Sequence, residues 1–74
     1  MQRQPVTSSN VVSIGYDPGS RTLEIEFREQ AIYQYFDVPG DVSDGLLRAP
    51  SHGKFIWANI RDRYRYQRVD QRAS

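Results

Sequence analysis

The stretch "TLEIEFREQAIYQYF", residues 22–36, decides the architecture of this chain. Its first six residues alternate strictly. Leu23, Ile25 and Phe27 point one way and Thr22, Glu24 and Glu26 the other, which predicts a half-buried antiparallel strand with one wet face. "REQ" then turns the chain, and "AIYQYF" predicts a partner strand. The loop length sets which face Tyr33 and Tyr35 occupy, because alternate residues of a strand share a side. A two- or four-residue loop pairs Phe27 with Ile32 and sends Ile32, Gln34 and Phe36 to the core. A three-residue loop at positions 29–31 sets Tyr33 opposite Phe27 and Tyr35 opposite Ile25. Burying Gln34 would require partners for a whole amide, which favours the second register and puts both tyrosines on the core side. That register leaves Ile32 and Phe36 on the outer face. The sequence alone leaves both registers open.

Working outward, "NVVSIGY" predicts a preceding strand with Val12, Ile14 and Tyr16 on one face. "DPGSR", residues 17–21, supplies turn chemistry: Asp17 to start it, Pro18 to fix φ, and Gly19 to allow a positive φ. Residues 1–7 are polar and predict a loose N-terminus. Pro39 cannot continue a central strand. "PGDVSDGLLRA" switches to helical spacing, with Val42, Leu46 and Leu47 on one stripe and Asp41 as N-cap. Gly45 costs that helix about 1 kcal/mol against Ala. Pro50 ends it, and Ser51 caps a second helix, "HGKFIWANIRDRY", striped by Phe55, Ile56, Asn59, Ile60 and Tyr64. "RYRYQRV" reads equally as more helix or as a short strand with Tyr64 and Tyr66 on one face. The last five residues read as frayed. The expectation is an α+β domain, a three-stranded antiparallel meander with two C-terminal helices on one face and a short C-terminal strand as an option. It is a single domain over residues 1–74 with an ordered core of about 6–69.

The totals bound the function. Seventy-four residues bury roughly 60% of the surface of the unfolded chain, leaving little room for a core and a large cavity together. Hydrophobic residues make up 38% and charged ones 26%, ordinary for a soluble globular protein. No apolar run approaches the ~20 residues of a membrane helix, and the first residues lack a signal-peptide segment. With no cysteine there is neither a disulfide nor a thiolate metal site. A cytoplasmic protein without membrane, metal or cofactor is expected. The net charge of +1 hides an asymmetry: residues 1–47 carry three Arg/Lys against seven acids, and residues 48–74 carry seven against two, which is −4 against +5. A basic half suggests a polyanionic partner, although arginines solvating a helix account for the same run.

"IRDRYRYQR", residues 60–68, interleaves Arg61, Arg63, Arg65 and Arg68 with Tyr64 and Tyr66. Arginine grips phosphates bidentately and tyrosine stacks on unpaired bases. Tyr64 is expected to pack on the sheet and Tyr66 to be the exposed ring. Lys54 at a helix start adds a phosphate contact, but "SHGKF" is not a P-loop, and a capped helix with Gly53 allowing close packing accounts for it. Trp57, the sole tryptophan, is core by default and a binding hot spot if exposed beside Lys54 and Arg61. His52 stands alone, and Ser51 and His52 are neighbours that do not face each other on a helix, so no catalytic set is expected.

The Tyr-x-Tyr at 33–35, "VP" at 38–39, "APSHGKF" at 49–55 and "IRDRY" at 60–64 together resemble the KTSC domain, a short domain named for the C-terminus of some lysyl-tRNA synthetases. The resemblance covers about residues 6–70 and implies a stand-alone bacterial member. Members usually have Gly in the hairpin where this chain has Gln30 or Ala31, and often a second aromatic and an Asn where it has "FIWAN". The resemblance marks Tyr33, Tyr35, Pro39, Ser51, Gly53 and Tyr64 as motif residues with structural roles. The family's function is not established; RNA binding has been proposed from its company with the synthetase. The expected function is therefore a small non-catalytic module, a monomer or weak dimer, that binds RNA or single-stranded nucleic acid weakly through Lys54, Arg61, Arg63, Arg65, Arg68, Tyr66 and Trp57. The alternative is a protein-interaction module using Glu24 and Glu26 or a Trp57 patch.

Overall fold

A computed structural model describes residues 3–28 and 31–69. Five antiparallel strands lie in chain order: β1 (Gln4–Pro5), β2 (Val11–Asp17), β3 (Thr22–Phe27), β4 (Ala31–Tyr35) and β5 (Tyr66–Arg68). Between β4 and β5 run α1 (Gly40–Arg48) and α2 (His52–Asn59). The architecture is the expected two-layer α+β domain, but four strands precede the helices rather than three, and a fifth follows them. The missed strand, β1, pairs Gln4 with Ile14 and Pro5 with Ser13 at the sheet edge. An edge is where Pro is tolerated in a sheet.

The apolar face of the sheet carries the core. Ile14, Leu23, Ile25 and Tyr35 are buried there with Val38, Leu46 of α1, and Ile56 and Ile60 of and just after α2. Each such aliphatic side chain contributes about 1.5–3 kcal/mol of transfer free energy. Val11 joins this core, and Val12 does not. A bulge between Val11 and Ser13 places two residues of β2 against one of β3, so the alternation shifts by one and leaves Val12 exposed. The expected Val12–Ile14–Tyr16 face is therefore corrected to Val11, Ile14 and Tyr16.

Tyr33 and Tyr35 share the core side, as the desolvation argument for Gln34 favoured. The register differs from the expected one by two residues. Phe27 pairs with Ala31, Ile25 with Tyr33 and Leu23 with Tyr35, so the hairpin loop occupies residues 28–30 rather than 29–31. Of the two positions where the resemblance expects Gly, position 30 lies outside the described residues, as does position 29, and Ala31 opens β4. Ile32 is nonetheless buried on the outer face, opposite Glu26 in the ladder.

Two turn expectations are also corrected. No glycine has a positive φ among the described residues; Arg21, at 57°, takes the left-handed position of the β2–β3 turn. Asp17 organises that turn with its carboxylate, accepting from Gly19 N at 3.0 Å and Ser20 Oγ at 3.0 Å. The N-cap of α1 is Pro39, whose carbonyl accepts from Val42 N and Ser43 N; Asp41 sits one turn position inside, where its charge acts on the helix dipole only. Gly45 has a packing reason. A Cβ there would lie 3.1 Å from the Phe55 ring, so glycine lets α2 press that ring onto α1.

Ser51 caps α2 as expected, its Oγ accepting from Lys54 N at 3.3 Å. The helix stops at Asn59 instead of running to Tyr64, and Asn59 is exposed rather than part of the buried stripe. The chain must turn there to satisfy two demands. Ile60 and Tyr64 pack on the core, and the segment after them returns to the sheet. Phe36 N donates to Arg65 O at 2.9 Å and Val69 N to Ile32 O at 2.7 Å, which bracket β5. Of the two readings of residues 63–69, the short strand holds, with Tyr64 in the turn before it. Residues 70–74, read as frayed, lie outside the described residues.

Candidate functional site

The two faces of the sheet differ in electrostatics. On the outer face Arg3 reaches from beside β1 to form ion pairs with Glu24 and Glu26, and its Nε donates to Ser13 Oγ at 2.9 Å. Ser13 Oγ donates to Glu26 Oε1, and Gln34 donates to Glu24 Oε1, each at 2.9 Å. Gln67 of β5 extends the chain of bonds to Gln34. The two glutamates that made β3 look acidic are thus satisfied internally, and Glu24 is buried.

The helix-side face is open at its β4–β5 end. The ladder sets Tyr35 opposite Tyr66 and Tyr33 opposite Arg68, so all four side chains project toward the α2 side. The three tyrosine rings touch: Tyr33–Tyr66 centroids are 5.5 Å apart, Tyr35–Tyr66 5.6 Å and Tyr33–Tyr35 6.4 Å. Phe27 closes the far end edge-on to Tyr33, with centroids 5.7 Å apart and rings at 85°. α2 forms the other wall with Gly53, Ile56 and Trp57, and Arg61 follows one turn on. Between the walls lies a groove of about 420 Å³, within the ~300–1,000 Å³ of typical ligand sites.

Within this groove the rings grade from core to surface. Tyr35 is buried, Tyr33 half-buried and Tyr66 55% exposed. Trp57 is 66% exposed, and the Arg61 guanidinium lies 4.1 Å from its ring centroid, a cation–π contact. Burial, reinforced by the neighbouring Tyr33 and Tyr66 hydroxyls, pushes the Tyr35 hydroxyl above the usual tyrosine range; the positive charge of Arg61 opposes this.

Of the residues singled out as nucleic-acid contacts, the fold gathers Trp57, Arg61 and Tyr66 around the groove, with Arg68 at its sheet edge. Lys54 is exposed on α2, three residues before Trp57 and so on the same side of the helix. Arg63 and Arg65 are exposed in the turn leading to β5, outside the groove lining. Tyr33 and Tyr35, read as structural, are half-buried and buried against the core, and both also line the groove. Phe27 and Asn10 were missed as lining residues. The alternation in β3 placed Phe27 on the correct face, but nothing in sequence brings Asn10 beside Gly53. The remaining motif residues hold the frame: Pro39 and Ser51 start the helices and Tyr64 packs on the core. A Cβ on Gly53 would meet Asn10 Nδ2 at 3.5 Å, an ordinary contact, so close packing does not require glycine there. Among the described residues no helix is long and apolar enough to cross a membrane.

These features define a class: a small two-layer α+β domain with an arginine-bearing aromatic groove on one face and an internally neutralised polar network on the other. The chain belongs to the KTSC domain family, whose sequence model matches residues 7–64. It is similar to an uncharacterised protein of Stutzerimonas stutzeri, 41% identical over 71 residues, covering 95% of this chain and all of that protein. A protein of Tsukamurella paurometabola is 42% identical over 62 residues, 84% of this chain and 92% of its own length. A lysine–tRNA ligase of Nostoc sp. is 37% identical over 54 residues, 73% of this chain but 10% of the ligase. The crystal structure of a KTSC domain protein from Yersinia pestis superposes with a TM-score of 0.89 at 46% identity, covering 92% of this chain and 96% of that one.

Proposed function

We propose that this domain is a non-catalytic binding module for RNA or single-stranded nucleic acid, acting in the cytoplasm. The observation that carries the reading is the groove, where three contacting tyrosines face an exposed Trp57 with Arg61 stacked on it. Aromatic rings beside guanidinium groups match the two surfaces of a single strand, its bases and its phosphates. Lys54, Arg61, Arg63, Arg65 and Arg68 contact phosphates, and Tyr66 and Trp57 supply stacking surfaces. The charge distribution supports the same reading, because the half of the chain that carries +5, residues 48–74, supplies the cations at the groove, and the acids of β3 lie on the opposite face. The tRNA ligases that carry a similar segment work on an RNA, which agrees with it. Affinity from charge is in the ~10⁻⁴–10⁻⁶ M range at physiological salt, with little sequence preference.

The test is the salt dependence of binding to a short single-stranded RNA. Replacing Arg63 and Arg65 together by Ala flattens the slope of log K against log salt by about 0.7 for each phosphate that is no longer neutralised. An unchanged slope removes both from the interface. The second reading, a protein-interaction module, draws on the exposure of Trp57, since the Glu24–Glu26 face is already engaged by Arg3. Salt-sensitive retention on heparin as a monomer favours nucleic acid. A concentration-dependent dimer volume on a sizing column favours the protein partner.

A further inference from the structure

We infer that the groove receives adjacent unpaired bases of a single-stranded RNA, one stacked on the Tyr33–Tyr66 surface and the next against Trp57, with the phosphates running past Arg61 and Arg68. This rests on the nucleic-acid reading and sharpens it from charge attraction to base capture.

The groove has two separate ring surfaces. One is the tyrosine cluster, whose outermost member Tyr66 is 55% exposed and backed by Tyr35 at 5.6 Å. The other is Trp57, on the helical wall. Tyr66 rests, tilted, on two rings that are packed in turn, since Tyr35 is buried in the core and Phe27 lies edge-on to Tyr33. Ring contacts already made before binding reduce the entropy cost of occupying this surface. Arg61 already lies against Trp57, so its donors are placed before a ligand arrives. Arg61 lines the same groove as Tyr33, Tyr35 and Tyr66, so it borders the tyrosine side as well.

Duplex RNA does not match this site. Its bases are paired and stacked on one another, and A-form geometry hides their faces, so a duplex touches only arginines at the rim. A single strand splays its bases and reaches the rings. Charge complementarity points to the same occupant, because a polyanion meets Arg61 and Arg68 on this face, whereas the outer face offers it the paired Glu24 and Glu26.

Trp57 is the sole tryptophan, so its fluorescence reports the groove directly. The experiment titrates the whole chain with a short oligoadenylate, a blunt RNA duplex of the same strand length, and heparin, following Trp57 emission and the anisotropy of the labelled probe. The expected result is quenching by the single strand alone, with the duplex at least ten-fold weaker. Tyr66→Ala and Trp57→Ala each weaken single-strand binding by roughly 5- to 150-fold and leave its salt slope unchanged. Both positions are exposed, and far-UV circular dichroism verifies that the variants fold. If single strand and duplex bind equally and Trp57 emission is unmoved, base capture is overturned while charge-driven binding stands. If neither RNA binds at low salt, both readings fall.

Discussion

Replacing Arg3 by Ala tests the part of the fold that is hardest to see from composition. Arg3 forms ion pairs with Glu24 and Glu26 and donates to Ser13. The side chains of Arg3 and Glu24 are 16% and 10% exposed, so this pair is mostly withdrawn from water. Removing one partner of a buried pair costs about 3–5 kcal/mol when the other is stranded. Glu24 is not wholly stranded, because Gln34 still donates to it at 2.9 Å. The loss of a hydrogen bond to a charged group, about 1.5–3 kcal/mol, is the better guide, and we expect about 2–3 kcal/mol. For a domain of this size that lowers Tm by roughly 8–24 °C. Urea unfolding reads it as a lower midpoint at unchanged slope. Because the pair is largely buried, the loss persists at high salt, where a surface pair would fade. The double variant Arg3→Ala/Glu24→Gln recovers part of the loss, since the more buried of the two carboxylates no longer carries a charge, while the more exposed Glu26 still accepts from Ser13. A change below about 0.5 kcal/mol for Arg3→Ala, the level of an ordinary surface substitution, would refute the buried network.

Other consequences are checkable in the same assays. Leu46→Ala removes the residue of α1 that is fully buried in the core and costs about 2–5 kcal/mol. Against a total of about 4–11 kcal/mol for a chain of this length, that brings a weakly stable domain near its midpoint, visible as lost near-UV ellipticity. Tyr35 gives a pH signature. Its folded hydroxyl titrates above the usual range, so the unfolded chain loses that proton first and stability falls as pH rises beyond about 10. Tyr35→Phe makes the stability profile flatter above that pH, and an identical profile would show that Tyr35 does not titrate differently on folding.

The sheet was legible where period and desolvation agreed. β3 alternates without interruption, and the difficulty of burying the Gln34 amide placed Tyr33 and Tyr35 on the core side. The exact pairing was not legible, because moving the three-residue loop by one position, from 29–31 to 28–30, shifts the register by two and preserves every facing. β1 escaped notice because its two residues are Gln and Pro, and what fastens it is a side chain reaching 21 positions along the sequence to Glu24. Val12 misled because a bulge breaks a period that only backbone pairing reveals. The groove was half visible. Arg61, Tyr66 and Trp57 stand out by residue type, whereas residue type does not decide whether the tyrosine motif belongs to the core or to a groove wall. A ladder that sets buried Tyr35 against exposed Tyr66 makes it both.

The simple order of the strands governs how this domain can be attached to something else. β1 and β5 occupy opposite edges, four strand spacings apart, which is about 19 Å of sheet. The aromatic groove belongs to the β5 edge. A tether joined ahead of β1 therefore leaves from the far side and keeps the groove clear. A tether joined directly after β5 starts beside Arg68 and Tyr66, next to the proposed binding groove. Fusions made at the two ends should differ in binding for that reason, although each leaves the core untouched.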